Sequence, residues 1–90
     1  MDEAYERAES EAYIRSFASY LTKELEDPGS YAFYERLARF ARGNVTLEDL
    51  IYRVLSEIKD DFRRGRVKKS KGAAFTDRLK RVCLERGLSF

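Results

Sequence analysis

Arginine or lysine fills six of the nine positions from 63 to 71: Arg63, Arg64, Arg66, Lys68, Lys69 and Lys71. No acid interrupts the run. Closely spaced cations draw polyanions by releasing the counterions condensed on them, which takes charge and geometry but no reacting group. Ser70 sits inside the run, where its hydroxyl and the leading N–H groups of a following helix can meet a phosphate oxygen. Arg78 and Arg81, three apart, share one helical face and extend the positive surface, while Lys80 points elsewhere. The chemistry this pattern offers is phosphate contact. A competing reading is a solvated loop that balances an acidic first helix. Residues 1–30 carry eight acids against three bases, and residues 63–90 carry ten bases against two acids.

Other chemistry finds few groups to work with. The chain has no histidine, the commonest general base and metal ligand. Its single cysteine, Cys83, cannot build a thiolate metal site and falls on the inner stripe of a helix, where a core thiol is expected. The five glycines mark turns and helix ends, with no phosphate-binding loop. Asp60 and Asp61 are neighbours on a helix and diverge by about 100°, so a solvated helix face is expected of them. Six tyrosines and six phenylalanines could stack on bases. However, Tyr13, Tyr20, Tyr31, Tyr34 and Tyr52 fall on or beside apolar stripes, where core edges place them. The expectation is a protein that is not an enzyme and needs neither metal nor cofactor.

The elements that must position the cations read as helices. Over residues 2–26, Ile14, Phe17, Leu21 and Leu25 repeat at three and four, with residues 1–10 poor enough in apolar side chains to fray. Asp27-Pro28-Gly29-Ser30 breaks that helix, and Ser30 is placed to cap a second over 31–42. Its inner stripe reads Phe33, Leu37, Phe40 and Ala41, with Tyr34 and Ala38 at the edge and Gly43 as its stop. Thr46 reads as the next N-cap, Asp49 as its capping-box partner, and Val45 with Leu50 as a hydrophobic staple. The helix that follows, 47–64, is the longest unbroken amphipathic stretch and the expected centre of the fold, with Gly65 ending it. Val67 is the only apolar residue of the connector. Ser70 then caps a fourth helix over 71–86, with Phe75, Leu79, Val82 and Cys83 inward and Gly87 terminating it. Leu88 and Phe90 are placed to fold back on the core. The fold class expected is all-α, a small four-helix bundle with short loops and one domain over 1–90.

Composition agrees with that picture. Ninety residues, 43% hydrophobic and 38% charged with one proline, describe one soluble helical domain rather than a disordered chain. No apolar run reaches the roughly 20 residues of a membrane span, and the acidic start is unlike a signal peptide. No membrane association and a cytoplasmic location are expected.

Two comparisons of pattern bear on function. As a helix-turn-helix reader, the second and third helices fail, because the recognition helix would open with Leu47-Glu48-Asp49 and repel phosphates. The third and fourth helices are electrostatically better but joined by a longer connector. From Leu55 to Val82 the chain reads LSEIKDDFRRGRVKKSKGAAFTDRLKRV. An amphipathic helix ends at Gly65-x-Val67, and a basic link leads to a helix opening with Gly72, Ala73, Ala74 and Phe75. This stretch resembles the small helical domains of plasmid and phage replication-initiator and primosomal proteins. Lys69-Ser70-Lys71 stands where those have an asparagine–proline link. The resemblance implies a replication accessory role.

The leading expectation is therefore a non-catalytic module that binds DNA or RNA. Arg63, Arg64, Arg66, Lys68, Lys69 and Lys71 would lie on phosphates, and Arg78 and Arg81 would support them. The alternative is a protein-interaction adaptor or homodimerising helical domain docking through its acidic helix or an aromatic face. A third reading is an inhibitor whose acidic segment imitates nucleic acid.

Overall fold

A computed structural model describes residues 3–88 of the chain. All four expected helices form: α1 over Glu3–Leu25, α2 over Tyr31–Ala41, α3 over Val45–Arg63 and α4 over Lys71–Glu85. No strand occurs among the described residues, so the architecture is all-α. Met1 and Asp2, part of the stretch expected to fray, lie outside the described residues, as does Phe90. No helix among the described residues is long and apolar enough to cross a membrane. The chain divides into two compact units, Met1–Gly43 and Asn44–Phe90. Six bases stand against nine acids in the first and twelve against seven in the second.

In the first unit α1 and α2 pack as an antiparallel pair. Ile14, Phe17, Leu21 and Leu25 are buried, as their spacing predicts, and Ala18 joins them. The proline break opens with a 3₁₀ turn, Pro28–Ser30, which leads directly into α2. Glu26 ends α1 with φ at 51°, a left-handed conformation that costs a non-glycine residue about 1 kcal/mol. Ser30 holds the N-cap position of α2, but its side chain makes no capping bond. The turn is fastened instead from within α2, where the Tyr34 hydroxyl donates to Asp27 Oδ2 at 2.9 Å. Across the pair, Arg39 donates two hydrogen bonds to Glu11 and Arg42 Nε donates to Ser10 Oγ.

The buried stripe of α2 is turned from the expected one. Tyr34, Leu37, Ala38 and Ala41 are buried, at the i, i+3, i+4, i+7 spacing of one helical face. Phe40 is 46% exposed. Small residues explain the choice: Ala18 on α1 and Ala38 on α2 are both fully buried, and small contact residues let two helix axes approach closely. Tyr34 can bury its ring because its hydroxyl has a partner in Asp27; Phe40 has no such claim on that position.

The start of α3 also differs. Gly43, at φ +91°, ends the preceding turn as expected. The N-cap is Asn44 rather than Thr46, its Oδ1 accepting the Leu47 N–H at 3.1 Å. Asparagine ranks among the best N-caps, and the extended backbone here, φ −127° and ψ 88°, suits the position. Val45 is consequently the first helical residue and 72% exposed, so the Val45–Leu50 staple does not form.

In the second unit the core is Leu47, Leu50, Ile51, Val54, Leu55 and Ile58 from α3 with Ala74, Phe75, Leu79 and Cys83 from α4. Burying each large apolar side chain contributes about 1.5–3 kcal/mol. Val82 is only half-buried. Both helices end in the same local device. At α3, Gly65 (φ +70°) donates to the Phe62 carbonyl and Arg66 N–H to that of Asp61. At α4, Gly87 (φ +72°) donates to Leu84 and Leu88 to Cys83. These are Schellman closures, which need a left-handed residue and so favour glycine.

Candidate nucleic-acid interface

The expected cations all belong to the second unit, at the end where α3 closes and α4 begins. The Gly65 closure reverses the chain and releases a connector of exposed residues with Val67 half-buried among them. Ser70 caps α4 as expected, its Oγ accepting the Ala73 N–H at 3.2 Å. That hydroxyl is thus committed as an acceptor and retains its own proton to donate.

Most of the cations are matched by carboxylates of the same unit. Arg63 lies 2.5 Å from Asp60 Oδ1 and Arg64 Nε 3.1 Å from Asp60 Oδ2. Lys69 bonds to Asp77. Arg78 reaches two acids of α3, Asp61 at 2.7 Å and Glu57 at 3.4 Å, and Arg66 approaches Asp61 from the other side at 3.8 Å. The Lys71 ammonium stands 5.5 Å above the Phe62 ring, a cation–π placement. Lys68 and Arg81 have no carboxylate partner among the described residues.

These pairs are of two kinds. The Arg63 side chain is 76% exposed, and Arg64 and Lys69 are more than half exposed. Such surface pairs contribute little to stability and exchange readily for another anion. Their electrostatic mark is on the acids: the Arg63 hydrogen bond holds the Asp60 carboxyl below the usual aspartate range, and Lys69 does the same to Asp77. The Asp61–Arg78 pair is different, with side chains 18% and 26% exposed. It ties α3 to α4. Asp61 is therefore not the solvated residue expected from sequence, and Arg78 acts first as a brace between helices. Asp60, half-buried, supplies the counter-charge to two arginines instead of facing water alone.

Beneath the connector lies a cavity of about 460 Å³. Arg66, Lys68, Lys69, Arg78 and Arg81 line it with one acid, Asp77, and three apolar residues, Ile58, Val67 and Ala74. The fold thus gathers five of the eight expected contact residues around one concavity. Arg63 and Arg64 stay on the last turn of α3, and Lys71 rests against Phe62. No aromatic ring lines the cavity; of the tyrosines expected at core edges, Tyr34 is fully buried, whereas Tyr20 and Tyr52 are exposed. Cys83 is buried, and burial pushes its thiol above the usual value, as expected of a core cysteine.

Sequence reading missed the three aspartates that meter this positive charge. Asp60 was within reach, since Arg63 and Arg64 follow it at i+3 and i+4. Asp61 and Asp77 carry no such local signal: their partners are set by helix register and by the path of the connector. No family model matches the chain, and neither a curated protein nor a solved structure matches it.

Proposed function

We propose that this protein is a non-catalytic nucleic-acid-binding module in which the Asn44–Phe90 unit contacts phosphates through the basic joint. The observation that carries this reading is the convergence of Arg66, Lys68, Lys69, Arg78 and Arg81 on one concavity, with Arg63 and Arg64 exposed beside it on pairs weak enough to exchange. Phosphate oxygens would replace Asp60 and Asp77 as partners of the exposed cations, while Asp61 competes with them for Arg66 and Arg78. The resemblance of residues 55–82 to replication-initiator and primosomal domains supports a DNA-replication accessory role.

Fluorescence anisotropy with single- and double-stranded oligonucleotides at two salt concentrations tests this. Replacing Arg63, Arg64, Lys68 and Lys69 together by glutamine should weaken binding across sequences. It should also flatten the dependence of log K on log salt by about 0.7–0.9 for each phosphate no longer neutralised. Binding by that variant indistinguishable from wild type would sink the proposal. A second reading, docking onto a protein or a second copy, is favoured by Phe40, which α2 turns out of its core. Concentration-independent sedimentation as a monomer would remove self-association.

A further inference from the structure

We infer that the cavity beneath the connector is a subsite for one pentose-phosphate unit, so that the protein reads sugar-phosphate rather than negative charge alone. This inference rests on the phosphate-contact reading above and names what the site accepts. A surface that bound charge alone would need only cations. This one holds three kinds of group in one concavity. Lys68 and Arg81, without carboxylate partners among the described residues, are the cations to which a phosphate would cost no existing ion pair. Half-buried Val67, with the edges of Ile58 and Ala74, gives the lining an apolar part, suited to the carbon face of a sugar ring and useless to inorganic phosphate. Asp77 is an acid in an otherwise cationic lining. It would repel a bare polyanion but can accept a hydrogen bond from a sugar hydroxyl. The volume, about 460 Å³, falls in the range of about 300–1,000 Å³ typical of small-molecule sites. Without an aromatic ring in the lining, the base of a bound nucleotide is left outside, and recognition is independent of sequence.

The test titrates the isotopically labelled full chain with ribose 5-phosphate and with tripolyphosphate, following backbone amides by NMR, and measures oligonucleotide anisotropy on the same variants. Ribose 5-phosphate should shift Val67, Lys68 and Ala74 at lower concentration than tripolyphosphate does, despite carrying less charge. Lys68→Gln with Arg81→Gln should weaken that binding about a hundredfold, as removal of two charge-assisted hydrogen bonds would. Asp77→Asn should weaken ribose 5-phosphate while strengthening tripolyphosphate. Tighter binding of tripolyphosphate by the wild type, or shifts confined to residues outside the cavity, overturns the subsite. If the subsite fails while Arg63→Gln with Arg64→Gln still weakens oligonucleotide binding, the phosphate-contact reading stands alone. If ribose 5-phosphate binds in the cavity but oligonucleotides do not bind the wild type, the subsite is upheld for free sugar phosphates and nucleic-acid binding falls.

Discussion

Replacing Asp61 by asparagine should move stability and affinity in opposite directions. Asp61 takes Arg78 at 2.7 Å and Arg66 at 3.8 Å, with Asp61 and Arg78 18% and 26% exposed. Fully exposed pairs contribute about 0–1 kcal/mol, and removing one partner of a deeply buried pair costs about 3–5 kcal/mol. This pair lies between those limits, and asparagine keeps the shape and one acceptor oxygen. A loss of about 1–2 kcal/mol is expected, equivalent to about 4–8 °C in Tm per kcal/mol for a chain of this size. Urea melts followed by far-UV circular dichroism would read it, and because the pair is partly shielded from solvent, 0.5 M salt should diminish the difference only in part. At the same time the variant gains one unit of net positive charge and leaves Arg66 and Arg78 with fewer competing carboxylates. Oligonucleotide affinity should rise, and the salt slope should steepen by about one. An unchanged urea midpoint would show that Asp61 does not brace α3 against α4. Weaker oligonucleotide binding by a folded variant would show that the carboxylate is not competing with phosphate for these arginines.

Two further outcomes test the packing. Tyr34→Phe should cost about 1 kcal/mol by deleting the bond to Asp27. Burial, and then Asp27, push the Tyr34 phenol far above its ordinary value. The folded chain therefore keeps a proton that the unfolded chain releases near pH 10, and the Tyr34 contribution is present below about pH 10 and lost above it. Urea midpoints at pH 8 and pH 11 should consequently differ less for the variant than for the wild type. Asn44→Ala should cost about 1 kcal/mol, whereas Thr46→Ala should change the urea midpoint very little, because the cap of α3 is the asparagine.

What the sequence made legible was whatever depends on neighbours along the chain. Gly43, Gly65 and Gly87 end helices because a left-handed residue is needed at each closure, and Ser70 caps α4 because its oxygen reaches a donor three residues on. The stripe of α1 followed from spacing alone. The stripe of α2 did not, because the set with Tyr34 and Ala38 and the set with Phe33 and Phe40 share Leu37 and Ala41 and differ by a modest rotation of the helix, which is settled only by knowing that Asp27 waits for a hydroxyl. The start of α3 was misplaced for a different reason: two adequate caps, Asn44 and Thr46, stand two residues apart, and the turn at Gly43 decides between them. At the candidate site the cations were plain in composition, but their restraint was not. Asp61 and Arg78 are 17 residues apart, and only the antiparallel register of α3 and α4 brings them together. The cavity is likewise a product of the connector's path, which no local pattern encodes.

The one sulfhydryl of the molecule has a practical use that follows from where it sits. Cys83 faces the core from α4 and is 1% exposed, so a disulfide reagent in water meets its thiol only when that part of the fold opens. The rate of its labelling is then a clock for opening events in the Asn44–Phe90 unit, readable without any engineered reporter. A bound ligand that tightens this unit should slow the clock in proportion to the time it spends attached.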